Sequence, residues 1–175
     1  AYIPSPSTVP ANEDVIRIAF IYKKATITPV GDSVIYDDPA YTGLARQPLA
    51  QEFKPITDVN HEGKNFVVIA NHFKSKGSAP KNLSGAEAAA NTDNGDGQGN
   101  SNGVRVKQAR ALATFAQRFN GTPTLLVGDF NAYTMEDPLK VLTDAGWAHE
   151  SGHGDSSYVY GGRSGSMDHV FANSA

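Results

Sequence analysis

Cysteine is absent from this 175-residue chain. Its absence removes disulfide frameworks, zinc–thiolate sites, iron–sulfur clusters and cysteine nucleophiles together, and leaves the redox compartment open. Long apolar runs are missing too: none approaches the ~20 residues that a membrane-spanning helix needs. There is no basic excess, since 15 Lys and Arg meet 18 Asp and Glu for a net charge of −3. A protein that coats DNA or RNA by charge alone is basic, so that class is disfavoured. A metal-dependent enzyme that meets nucleic acid locally stays open. Met is absent from the first position, and no basic lead or apolar stretch of a signal peptide follows Ala1. The chain is therefore expected to be part of a longer one, with any leader elsewhere.

What is present is globular. Hydrophobic residues make up 39 % and charged residues 19 % of a length that suits one domain or part of one. Val15 to Tyr22 is rich in β-branched and aromatic residues and predicts a strand. Pro29-Val30-Gly31 predicts a turn, residues 31–50 a surface loop, and Phe53 to Asp58 a short strand. After a turn at His61 to Lys64, Phe66 to Ala70 is a nearly continuous apolar run, expected to be covered on both faces. Residues 77–103 are polar and low in complexity, and predict a flexible loop. Ala109, Leu112, Phe115, Ala116 and Phe119 recur at helical spacing and predict a helix over Val104 to Phe119. Pro123 to Gly128 predicts a buried strand. Asp137 and Pro138 open another helix, with Asp137 as its N-cap. Ser157 to Tyr160 and Met167 to Ala172 predict two more strands. Strands alternating with helices point to a layered α/β sandwich.

Three polar motifs stand at the ends of three of these strands. In Gly128-Asp129-Phe130-Asn131, continued extended geometry would set Asp129 and Asn131 on one side. There a carboxylate takes a proton from water or holds a cation, and a carboxamide orients the water or a phosphoryl oxygen. In Asn71-His72-Phe73-Lys74-Ser75-Lys76, an imidazole and two ammonium groups, His72, Lys74 and Lys76, share a side and suit a phosphate oxyanion. In Ser166-Met167-Asp168-His169, alternation separates Asp168 from His169, so Asp168 is free to orient a histidine elsewhere. Each motif has a bland alternative: a strand-end turn, a solvated basic strand end, an Asp at a strand start. Their convergence favours function more than any one of them does.

Other segments weigh less. The Asp, Asn and Gly run at 91–103 fails as an EF-hand, because Val104 stands where a carboxylate is required. His149, Glu150 and His153 form a conceivable metal trio, with exposed loop the favoured reading. Trp147 reads as a core anchor. Tyr158 and Tyr160 suit base stacking or strand packing equally well.

In order along the chain, the three motifs resemble the endonuclease/exonuclease/phosphatase superfamily, which includes pancreatic-type deoxyribonuclease and apurinic endonucleases. Ile18 to Gly31, Arg46 to Gln51, and Asp96-Gly97-Gln98-Gly99 followed by Arg105 are similar to its secreted bacterial nuclease branch. The resemblance implies a DNase I-like four-layer α/β sandwich, here a single partial domain over 1–175. It implies a phosphodiester hydrolase using Mg²⁺, with Ca²⁺ or Mn²⁺ as alternatives. DNA is the implied substrate, with RNA a further one, and the implied location is extracellular, with no membrane and no obligate protein partner. Asp129 would be the general base or water-orienting carboxylate, and Asn131 would hold the water or a phosphate oxygen. His72 would contact the scissile phosphate, Asp168 would orient the catalytic histidine, and Arg46 would support the phosphate side.

Two family features have no counterpart here: a metal-binding Glu near the start, and a Ser-Asp-His segment at the end. Asp168-His169 is read as the motif preceding that segment, which leaves His169 non-catalytic. The 175 residues alone are thus expected to turn over weakly or not at all. A phosphatase or phospholipid phosphodiesterase of the same superfamily, and a non-catalytic module on a decayed hydrolase fold, are the alternatives. A basic groove around Lys74, Lys76 and Arg105 would favour nucleic acid.

Overall fold

A computed structural model describes residues 1–11, 14–56, 63–152, 154 and 156–175. A six-stranded mixed sheet has the order β1-β2-β3-β4-β8-β5, and β6 and β7 form a separate hairpin. Its strands are β1 (Ile27–Ile35), β2 (Arg46–Pro55), β3 (Phe66–His72), β4 (Thr124–Asp129), β5 (Ala148–His149) and β8 (Asp168–Ala172). The hairpin is β6 (Tyr158–Tyr160) and β7 (Arg163–Gly165), and the helices are α1 (Gly85–Ala89), α2 (Asn102–Ala116) and α3 (Asp137–Asp144). β3 and β4 run parallel, joined by the crossover that contains α2, and β8 returns antiparallel to β4.

One face of the sheet meets the helices. Ile69, Leu126 and Phe171 pack there against Leu112 and Phe115 of α2 and Leu139 and Leu142 of α3, all fully buried or nearly so. In β3 the buried positions are Val67, Ile69 and Asn71, while Val68, Ala70 and His72 on the other face are half-buried. The expected full cover on both faces is therefore met on the helix side alone. Lys107, Arg110 and Arg118 lie exposed, as the helical period requires.

Several boundaries differ from expectation. Val15 to Tyr22 is not a strand: it makes one bridge, Tyr2 with Ile21, and Val15 is 98 % exposed. Its aromatic residues serve packing across the sheet, because Phe20 and Tyr22 lie on Phe53, with ring centroids 5.9 and 6.1 Å away. Much of the expected loop at 31–50 is sheet. Pro29-Val30-Gly31 lies inside β1, where the pairing shifts register, and β2 begins at Arg46 and ends at Pro55. A second register shift between Arg46 and Leu49 accommodates Pro48, which has no N–H for the ladder. Glu136, not Asp137, caps α3. Asp58, His61 and Glu62 lie outside the described residues.

Candidate active site

Cα pairing sets Arg46 beside His72, His72 beside Asp129, and Asp129 beside Asp168. Directly paired residues project from one face, so the four side chains form a row across β2, β3, β4 and β8, on the face away from the helices. The row stands where the sheet ends. Beyond it the Phe73 N–H donates to the Asp129 carbonyl and the Phe130 N–H to the Met167 carbonyl. Asp129, Asn131 and Asp168 line an open cleft of about 820 Å³.

Within the row, His72 Nε2 lies 3.6 Å from Asp129 Oδ2, with the two side chains 35 % and 36 % exposed. Asp129 Oδ1 accepts the Asn131 backbone N–H at 2.8 Å. Burial pushes the Asp129 carboxyl above the usual carboxylate range. The Asn131 N–H and His72 pull it back, and the neighbouring Asp168 adds to the rise. A carboxylate that is a stronger base than usual, next to an imidazole, is a pair able to take a proton from water and to face an anion. Arg46 lies 3.4 Å from Asp14, so its charge has a partner at the end of the row.

Asn131 reaches the cleft by a route the sequence does not indicate. Its φ of 47° ends the extended geometry, and its Nδ2 donates to the Phe73 carbonyl at 3.0 Å. Asp129 and Asn131 are therefore brought together by a turn, not by strand alternation. Asp168 is exposed and makes no side-chain hydrogen bond to a histidine among the described residues. His169 points to the helix side and is 2 % exposed. Its Nε2 donates to the Ala132 carbonyl at 2.9 Å, since a carbonyl only accepts, and its Nδ1 takes the Nε2–H of His149 at 2.9 Å. Burial holds its imidazole below the usual range. His149 is thus half-buried in β5 and paired with the buried His169 rather than in an exposed loop, and His153 lies outside the described residues.

The basic groove that would favour nucleic acid is not assembled around Lys74, Lys76 and Arg105. Arg105 is fully buried and donates to the carbonyls of Asn100 at 2.7 Å, Gln98 at 2.8 Å and Lys74 at 3.3 Å. Lys76 lines the cleft but is bound to the Glu136 carboxylate and to the Gln98 carbonyl. Burial pushes Lys76 down and Glu136 up, and their contact opposes both shifts. Lys74 does not line the cleft; its N–H donates to Gln108 Oε1. The stretch 77–103 contains α1, and its cleft-lining part is held by Arg105 from below. Replacing Arg105 with Met leaves those carbonyls unpaired under the cleft wall, and is expected to destabilise the chain by about 3 kcal/mol in urea unfolding.

Sequence reasoning missed Tyr133 and Glu136. Tyr133 lines the cleft, with Lys76 Nζ 5.0 Å from its ring centre. No spacing rule pairs these residues with Asp129; the turn at Asn131 does. Asp129, Asp168 and the Asn131 carboxamide offer oxygen donors suited to a hard cation. Among the described residues, however, no group of three or more His, Asp or Glu could hold a metal ion. The described residues alone thus do not form a complete metal site.

No family profile and no curated protein matches the sequence. Solved structures do match. An endonuclease/exonuclease/phosphatase family protein from Bacteroides thetaiotaomicron superposes with a TM-score of 0.55 at 12 % identity, over 89 % of this chain and 54 % of that one. A mannosyl-6-phosphatase from the same organism gives 0.55 at 11 % identity, over 90 % and 57 %. The human Nocturnin catalytic domain gives 0.54 at 15 % identity, over 89 % and 51 %. The chain thus spans a little over half the length of these structures, and at such identities the likeness is one of fold. The mixed sheet with its helices is part of the endonuclease/exonuclease/phosphatase, or DNase I-like, fold.

Proposed function

We propose that the chain carries the phosphate-facing part of a phosphodiester hydrolase acting on nucleic acid, DNA first and RNA as a further substrate. The observation that supports it is the row His72, Asp129 and Asp168, in register across three adjacent strands, with Asp129 and Asp168 lining one cleft. Asp129 accepts the proton of the attacking water, and His72 faces the charge that builds on the phosphoryl oxygens. Asn131 holds the water or a phosphate oxygen through its carboxamide oxygen, since Nδ2 is committed to Phe73. Arg46, beside His72 in the sheet, supports the phosphate side. Secretion and a divalent cation, Mg²⁺ or else Ca²⁺ or Mn²⁺, belong to the same proposal through the sequence resemblance.

Plasmid relaxation tests this reading, run with Mg²⁺, with Ca²⁺ plus Mn²⁺, and with EDTA. Slow relaxation that EDTA stops and that His72→Ala reduces by about 10²-fold or more is the expected result. Relaxation that His72→Ala leaves unchanged would place the chemistry elsewhere.

A further inference from the structure

We propose that Tyr133 and the β6–β7 hairpin form an aromatic platform that holds unpaired nucleobases beside the His72–Asp129–Asp168 row, making single-stranded nucleic acid the substrate class; this rests on the phosphodiesterase reading above. The Tyr158 and Tyr160 rings are nearly parallel, with centroids 6.3 Å apart and planes 13° apart. They are 41 % and 73 % exposed, which strand packing does not explain. Across the hairpin, Tyr160 faces Arg163 and Tyr158 faces Gly165. A side chain at Gly165 would meet the Tyr133 ring at 2.7 Å, so the glycine lets Tyr133 lie against the hairpin and join its surface. Tyr133, Tyr158 and Tyr160 line the same cleft as Asp129 and Asp168. Ser166 and Met167 alone separate β7 from Asp168, which ties the platform to the row.

The charge balance of the cleft points the same way. A duplex held by its phosphates needs several free cations. Here Arg105 is buried against carbonyls and Lys76 is paired with Glu136. Arg163 stands beside Tyr160 on the hairpin and does not line the cleft. The described cleft lining carries the carboxylates of Asp93, Asp129 and Asp168, three tyrosines, and Lys76 paired with Glu136, which suits a strand gripped through its bases rather than its phosphates. Base faces are open to aromatic rings only where the base is unpaired or unstacked.

Fluorescence anisotropy with the full 175-residue chain tests this, using an oligothymidine of roughly eight nucleotides, an abasic strand of equal charge and a duplex of equal length. The oligothymidine is expected to bind at least about tenfold tighter than the abasic strand and the duplex. Its affinity is expected to fall less than roughly tenfold between about 50 and 200 mM salt. The double variant Tyr158→Ala/Tyr160→Ala, on an exposed hairpin, is expected to remove the preference for bases, and Gly165→Ala to weaken it by displacing Tyr133. Equal binding of the base-bearing and abasic strands, or tighter binding of the duplex, overturns the platform. No binding of any strand, with plasmid relaxation intact, overturns the platform and leaves the phosphodiesterase reading standing. Loss of both overturns both.

Discussion

Gly128→Ala is expected to destabilise the chain by at least about 4 kcal/mol, the range reserved for clashes the structure cannot relax. The residue has φ +134°, and a Cβ there would lie 2.0 Å from the Asn71 carbonyl oxygen. That oxygen belongs to the backbone of β3, so no side chain can move aside to make room. Relief requires β3 and β4 to separate at the pair Asn71–Gly128, next to the pair His72–Asp129. A variant that still folds would carry His72 and Asp129 out of register. A displacement of 1 Å at reacting groups is worth about 10²-fold in rate. Urea unfolding measures the first effect and plasmid relaxation the second. A variant as stable and as active as the wild type would show that the close approach of the two strands is not needed.

Asp129→Asn is expected to reduce phosphodiester cleavage by about 10²- to 10⁴-fold while leaving the fold as stable as before, or more so, at neutral pH. The carboxamide keeps an oxygen for the Asn131 N–H, so the turn survives. The opposite signs follow from the raised carboxyl. A carboxyl raised in the folded state favours folding below the ordinary carboxylate range, and that contribution is lost as pH rises through its folded value. At neutral pH the ionised, half-buried Asp129 therefore opposes folding, and Asn removes the charge. Activity runs the other way. The base form emerges only above the raised value, so wild-type cleavage rises with pH at a point above the ordinary ~3.9 of Asp, and the variant loses that limb. Paired urea melts and pH–rate profiles check both signs. A variant that loses activity only in proportion to its stability would make Asp129 a structural residue.

The three strands that meet in the row were legible because apolar runs record burial: the motifs of β3 and β4 begin where such a run stops, and that of β8 opens one. Parallel and antiparallel pairing of β3, β4 and β8 then brings those ends side by side. Elsewhere the same signal misleads. The β-branched and aromatic content of Val15 to Tyr22 records that Phe20 and Tyr22 are packed on Phe53, and is silent on whether the segment has ladder partners. β2 was hidden by Arg46, Gln47, Pro48 and Gln51, polar or ladder-breaking residues that the fold buries or shelters at a bulge. Arg105 reads as a wet, cationic position, yet it serves carbonyls of the loop before it, a tertiary contact with no periodic trace. Asn131 joins the site through a left-handed turn, and strand alternation cannot represent that.

The most direct test of the phosphate-facing row is a ¹H–¹⁵N NMR titration of the chain with dimethyl phosphate, a phosphodiester without bases. It reads binding whether or not the 175 residues turn over. Shifts concentrated at the amides of Arg46, His72, Asp129, Asn131 and Asp168, and lost in His72→Ala, are the result predicted. Shifts centred on the cavity around His149, Ser151 and His169 on the other side of the sheet, or none at any concentration, would contradict it.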